Sequence, residues 1–288
     1  MGNEAIKIRK PAWAGQFYPA HPQQLREQIR EFLDDAPSLP IAGKILGVVV
    51  PHAGYVYSGP TAAIAYKQMA GLDIKTVVVI APSHAVAFSG ASVYDGDYYE
   101  TPLGKIKINK ALSASLAKES PRIRLSSTGH DFKAPQPEHS LEVQLPFLQQ
   151  VIVNAFGLVA IVFHDYTWEN CSALGEAIAN VVTPDKTILV ASSDLYHGYS
   201  YDECIATDDR TLNAITAFNP KEFCRGANTL QYQACGAGPV TAMMVAAQKW
   251  GADRIELLGR TNSSDVTGTR GGWTVGYAAM AAIQTNVK

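Results

Sequence analysis

No apolar stretch in this 288-residue chain approaches the ~18 residues that a membrane-spanning helix needs, so no such span is expected. The amino terminus also lacks the apolar h-region of a secretory signal: Lys7, Arg9 and Lys10 are followed by Pro11-Ala12-Trp13-Ala14-Gly15. Gly2 stands where a myristoyl group would attach, but position 6 is Ile where that pattern wants Ser or Thr. A cytoplasmic protein with no membrane partner is the expectation. There are four cysteines, Cys171, Cys204, Cys224 and Cys235, and no Cys-x-x-Cys pair, which argues against a zinc knuckle or a secreted disulfide framework. A large excess of charge of one sign is missing as well. A net charge of -2, a pI near 6.4 and scattered Lys and Arg leave no footprint for a phosphate backbone, so no nucleic-acid partner is expected. No composition shift or fixed-period repeat marks a linker, and residues 1–288 read as one domain.

What the chain has instead is a recurring idiom in which an apolar run delivers a histidine. Residues 45–50 run into Pro51-His52, residues 76–81 into Pro82-Ser83-His84, residues 158–163 into His164, and residues 187–191 into Ser192-Ser193-Asp194-Leu195-Tyr196-His197. Short Val- and Ile-rich runs without polar alternation read as strands buried on both faces, the habit of parallel sheets covered by helices. Helical spacing between them is expected at 21–35, 60–69, 109–118, 138–153 with a kink or restart at Pro146, 168–182, 201–217 and 238–250. Residues 91–108 read as a hairpin-like excursion, 126–137 as a loop edging a pocket, and 255–259 and 273–281 as closing strands. The fold class is therefore α/β, a mostly parallel central sheet flanked by helices. In such folds the pocket lies at the carboxyl ends of the strands, so the histidines converge there.

The densest cluster of special residues is Pro51-His52-Ala53-Gly54-Tyr55-Val56-Tyr57-Ser58-Gly59, a rigid strand-to-helix turn with Pro60 placed to open the helix. Histidines after neighbouring strand ends can both reach one ion, which makes His52 and His84 half of a metal site. Cys235, in Gln233-Ala234-Cys235-Gly236-Ala237-Gly238-Pro239, is the candidate third ligand. A thiol near a helix amino terminus has a depressed pKa, and flanking glycines permit close backbone approach. Asp194 and His197 are candidates for proton handling, sharing a face if their segment turns helically, with Ser192 and Ser193 as hydrogen-bond donors; a fourth metal ligand is the other role open to His197. His139 and Glu142 lie one turn apart, a spacing that fits a solvated helix start and a pocket contact equally. His164 is expected either to support the pocket from behind its lining or to be structural, and His21 and His130 to lie on the surface.

Taken together, Pro11-Ala12-Trp13-Ala14-Gly15-Gln16-Phe17-Tyr18-Pro19, Pro51-His52-Ala53-Gly54-Tyr55, Tyr57-Ser58-Gly59, Pro82-Ser83-His84, Glu138-His139-Ser140-Leu141-Glu142, Ser193-Asp194-Leu195-Tyr196-His197 and Cys235-Gly236 resemble the Memo family, including the microbial AmmeMemoRadiSam system protein B. That family is similar in fold to the class III extradiol dioxygenases. The resemblance implies that His52 and His84 stand where those enzymes' iron-binding histidines stand, Cys235 where their carboxylate ligand stands, and His197 where they keep a catalytic histidine. Tyr55, Tyr57, Ser83, His139 and Ser193 would complete the pocket. A thiolate in place of a carboxylate changes charge donation and is itself oxidisable, so ring cleavage does not carry over. The expectation is a metal-binding redox protein or oxidoreductase using Fe(II) or Cu, with Zn also compatible. The alternative is a non-catalytic module holding a peptide or protein in the old pocket. The microbial system name implies radical SAM and AMMECR1-like proteins as partners.

Overall fold

The computed structural model of the chain describes residues 5–130 and 136–286. Its centre is a nine-stranded mixed sheet. Four strands in the middle are parallel, in the order Lys44–Val50, Thr187–Ser192, Thr76–Pro82 and Gly157–Phe163, with Val50 level with Ser192 and Pro82 level with Phe163. Thr274–Gln284 is antiparallel to Lys44–Val50 on one flank, and Ala91–Val93 is antiparallel to Gly157–Phe163 on the other. The sheet is thus parallel through its centre and mixed toward its flanks, where the edge strand Ile123–Leu125 is again parallel to Ala91–Val93, so the mostly parallel expectation holds at the core. Arg254–Asn262 and Thr274–Gln284, which follow each other in the chain without a crossover, are antiparallel, whereas parallel neighbours need a crossover connection.

Alternation along each strand explains why both faces are apolar. Val77, Val79 and Ala81 pack with Leu25, Tyr66 and Leu148, whereas Val78 and Ile80 pack with Leu174, Val240 and Met243. The helices Pro22–Asp35, Tyr55–Lys67 and Leu145–Val151 cover the first face. The other face is covered by Lys110–Glu119, Trp168–Val181, Tyr201–Thr216, Pro220–Asn228 and Ala237–Lys249. Among the described residues no helix is long and apolar enough to cross a membrane.

Several expectations are corrected. The helix after His52 begins at Tyr55, and Pro60 lies inside it rather than opening it. The proline leaves the Val56 carbonyl without its helical donor, and Val56 is on the exposed side where solvent can replace it. The 138–153 segment is a 3-10 turn, Glu142–Gln144, followed by a helix that starts at Leu145 with Pro146 in its first turn. Ala91–Val93 joins the main sheet; the hairpin is Tyr98–Thr101 with Gly104–Lys107, and it pairs with Ile8–Arg9. The loop expected at 126–137 falls partly, and Gly2 wholly, outside the described residues.

His130 is not at the surface. It is fully buried, with Nε2 2.9 Å from Ser92 O and Nδ1 2.7 Å from the Tyr99 hydroxyl. A carbonyl only accepts, so Nε2 carries the proton and Nδ1 accepts from Tyr99. Burial is the main cause that lowers its pKa, to about 4. Unfolded, the ring titrates near 6.5. The neutral ring therefore contributes stability that is fully present above that value and lost as pH falls toward 4. Between pH 7.5 and pH 5 the wild type is expected to lose about 2 kcal/mol more stability than His130→Gln, read from urea midpoints; parallel losses would contradict this.

Candidate metal centre

The carboxyl ends of the parallel strands bring His52, His84 and Asp194 together, but not through neighbouring strands as expected. Thr187–Ser192 lies between the strands that precede His52 and His84, so their strands are about 9.6 Å apart at ordinary spacing. The turns after Val50 and Pro82 close that gap. The His52 and His84 ring centroids are 5.2 Å apart, and His139 completes a triangle at 5.4 Å from His52 and 4.9 Å from His84, stacked on the latter. One nitrogen from each of the three rings lies within 4.8 Å of the others, a group able to hold a metal ion. His139 comes from the turn that precedes Glu142–Gln144, where the spacing left solvent and pocket as equal readings. Trp13 and Phe17 of the opening segment pack edge-on and tilted against its ring.

Glu138 organises this corner. Its carboxylate accepts from the His84 and Ser140 backbone N–H groups and from His84 Nδ1 at 3.0 Å. Burial works against its charge, yet His84 and His139 hold it down at about 2. Burial likewise opposes charge on His84, but Glu138 outweighs it and raises that pKa. His52 and His139 are pushed down, by burial first and then by neighbouring rings, to about 4 for His139. Two of the three imidazoles are therefore neutral near pH 7, the form in which imidazole ligates.

Cys235 Sγ lies 3.1 Å from His52 Nε2 and accepts from the Asp194 N–H at 3.3 Å. The depressed thiol expected from its helix position is overturned: burial, then the Asp194 carboxyl, push it up. Asp194 does not reach His197 through a helical turn either. Residues 193–196 are non-helical, His197 Nδ1 lies 3.0 Å from Leu195 O, and Asp194 Oδ1 accepts from the His52 N–H at 2.7 Å. Burial raises Asp194 to about 7 against that hydrogen bond, and burial lowers His197.

Asp194, His139, His197 and Tyr57 line a cavity of about 580 Å³, walled further by Phe17, Trp273 and Tyr277. Of the remaining candidates, Tyr55 turns inward and donates to Val143 O, Ser83 donates to Val86 O, and Ser193 Oγ accepts from the Gly236 N–H. His164, exposed, sits against Ser83 O. Glu138 and Gln144 were not singled out as orienting groups, and Ser192 was expected only as a hydrogen-bond donor beside His197, whereas it meets His52 Nδ1; two acids bracketing a histidine in Glu138-His139-Ser140-Leu141-Glu142 were the available signal for Glu138.

The family model for Memo-like protein matches residues 9–281. The chain belongs to the Memo family. Among its relatives, a MEMO1 family protein of Methanothermobacter thermautotrophicus is 36% identical over 283 residues, covering 95% of this chain and all of that protein. One from Methanocaldococcus jannaschii is 37% identical, covering 95% and 98%. The crystal structure of an uncharacterized protein from Escherichia coli K12 is similar with a TM-score of 0.54 at 14% identity, covering 81% of this Memo chain and 99% of that one. That likeness concerns the fold alone.

In this Memo protein the position of Cys235 rests on Gly236, where an added Cβ would stand 2.1 Å from Ser192 O. Gly236→Ala is expected to destabilise the protein by about 1–3 kcal/mol in urea unfolding and to raise the reactivity of Cys235 toward a thiol reagent. Unchanged stability and reactivity would show that the approach is not tight.

Proposed function

We propose that this Memo-family protein is a metal-dependent redox protein of class III extradiol dioxygenase-like architecture, its ion held by His52 and His84 with His139 and Cys235 as the adjoining donors. The observation that carries this reading is the three-imidazole cluster beside a 580 Å³ cavity. Imidazole nitrogens suit Fe, Cu and Zn, and a neighbouring sulfur favours the softer, redox-active choices, Fe or Cu. Cys235 would lose its proton on ligation, which makes uptake pH-dependent. When bound, the metal supplies Lewis acidity and one-electron chemistry. Asp194, raised to about 7, holds or releases a proton at its carboxyl beside the His52 backbone, and His197 faces substrate across the same cavity. Phe17, Tyr57 and Trp273 orient an apolar or aromatic body and exclude water.

A second reading is favoured by the exposure of Tyr57, Tyr199 and Trp273 around the mouth, at 42%, 76% and 54%, large for aromatic side chains. On that reading the pocket binds a peptide without turnover. Radical SAM and AMMECR1-like proteins belong to the proposal as functional associates through the family's system name. Metal analysis of anaerobically purified wild type is expected to give near-stoichiometric iron or copper, lost in His52→Ala and His84→Ala and weakened tenfold or more in His139→Ala and Cys235→Ala. Metal-free protein that also refuses Fe(II) and copper at micromolar concentration would overturn the redox reading in favour of the binding module.

A further inference from the structure

Gln144 lies outside the cavity lining, is 1% exposed, and spans two strand ends. Its Nε2 donates to Pro51 O at 2.9 Å and to Ser192 Oγ at 2.8 Å, and its Oε1 accepts from the Tyr66 hydroxyl at 2.8 Å. The Pro51 carbonyl can only accept, which fixes the nitrogen end of the amide. Ser192 Oγ in turn lies 2.7 Å from Ser140 O, again an acceptor alone, so the single serine proton goes there. What remains on Ser192 Oγ is lone pairs, one for Gln144 and one for His52 Nδ1 at 2.8 Å. His52 Nδ1 must therefore donate. A neutral imidazole has one N–H, so the proton is on Nδ1 and Nε2 presents a bare lone pair, 3.1 Å from Cys235 Sγ.

We infer that Gln144 and Ser192 are positioning residues that set the tautomer of His52 and hold its Nε2 lone pair ready for an electrophile. Their effect on affinity rests on the proposed metal-binding role of His52; the tautomer itself does not. Every hydrogen bond in the chain Tyr66, Gln144, Ser192, His52 has its direction fixed by a carbonyl, Pro51 O or Ser140 O, that cannot reverse. His84 reaches the same tautomer through the Glu138 carboxylate, which accepts from its Nδ1. The two orienters differ in charge. Glu138 draws a proton toward His84, whereas the neutral Ser192 fixes orientation without stabilising a cation, which suits a ring whose pKa is driven down by burial. Without Ser192 Oγ, His52 would be free to place its proton on Nε2 and donate to Cys235 Sγ, closing that nitrogen to a ligand.

The test is a long-range proton–nitrogen correlation spectrum of metal-free wild type with labelled histidine at pH 7.5, with His52 assigned through His52→Gln. The expected pattern has the His52 proton on Nδ1. In Ser192→Ala it is expected to move wholly or partly to Nε2, Fe(II) affinity to fall tenfold to a hundredfold at a comparable urea midpoint, and Ser192→Thr, which keeps the hydroxyl, to restore both. A wild-type His52 carrying its proton on Nε2 would overturn the inference whether or not the variants fold. So would a Ser192→Ala protein with an unchanged tautomer. If the protein takes up neither Fe(II) nor copper, the metal reading fails while the spectrum still decides the tautomer.

Discussion

The rest of the site depends on the buried ion pair between Arg9 and Glu142, both almost wholly shielded from solvent. Two charges removed from water are tolerated only when every remaining lone pair and proton is also engaged. Here that condition is met by segments far apart in sequence. Glu142 also accepts from the Ala12 and Trp13 backbone N–H groups and the Tyr18 hydroxyl, while Arg9 donates from Nε to His130 O and from its far nitrogen to Glu138 O. The pair therefore clamps the opening segment, the His130 loop and the 138–142 turn to one another. Removing one partner would leave an uncompensated buried charge, typically worth about 3–5 kcal/mol.

From that clamp the orientation of the histidines follows. With its backbone carbonyl held by Arg9, Glu138 can direct its carboxylate only to the His84 side of the turn, where three backbone N–H groups and an imidazole receive it. Two residues later the Ser140 carbonyl fixes the Ser192 hydroxyl, and four residues after that Gln144 bridges to Pro51. One short turn thus orients two histidines that arrive from strands separated by a third. It contributes His139 as well, against which Trp13 and Phe17 pack. Sequence-local geometry in residues 138–144 substitutes for the strand adjacency that the site lacks.

Much of this was legible in the chain, and the illegible parts have identifiable causes. Unbroken runs of this short length, rich in β-branched Val and Ile, favour doubly buried strands over buried helices, so the central strands and the delivery of His52 and His84 to one edge could be read directly. Strand order could not, because the insertion of Thr187–Ser192 between its neighbours is decided by packing of whole crossovers rather than by any residue in the strand. His130 was misplaced because its loop is polar, and polarity there reflects hydrogen bonding to Tyr99 and Ser92 instead of exposure. The thiol of Cys235 was misjudged for a similar reason: a helix amino terminus lowers a pKa only where solvent or a cation shares the site, and here burial and the Asp194 carboxyl outweigh it. Cys224 reads as lying in a helical pattern, but the helix Pro220–Asn228 around it was given no bounds although Asn219 caps it and Pro220 opens it, since its apolar face is narrow, chiefly Phe223 and Cys224.

A fold shared at 14% identity leaves the chemistry to be argued from the residues, and the arrangement around Cys235 is where this chain makes its own statement. Gly236 brings the start of the Ala237–Lys249 helix onto the Ser192 carbonyl, Ser193 accepts from the Gly236 N–H, and the Tyr166 hydroxyl holds the Cys235 carbonyl at 2.9 Å. These contacts fix the thiol from three directions. Its proton then has two acceptors within reach, the Asp194 carbonyl and the bare Nε2 of His52. A carboxyl raised to about 7 lies beside the same thiol. Burial favours the protonated, neutral forms of both Cys235 and Asp194, so this corner of the pocket holds little negative charge of its own, and the metal proposed above would have to displace a proton from the sulfur to bind there.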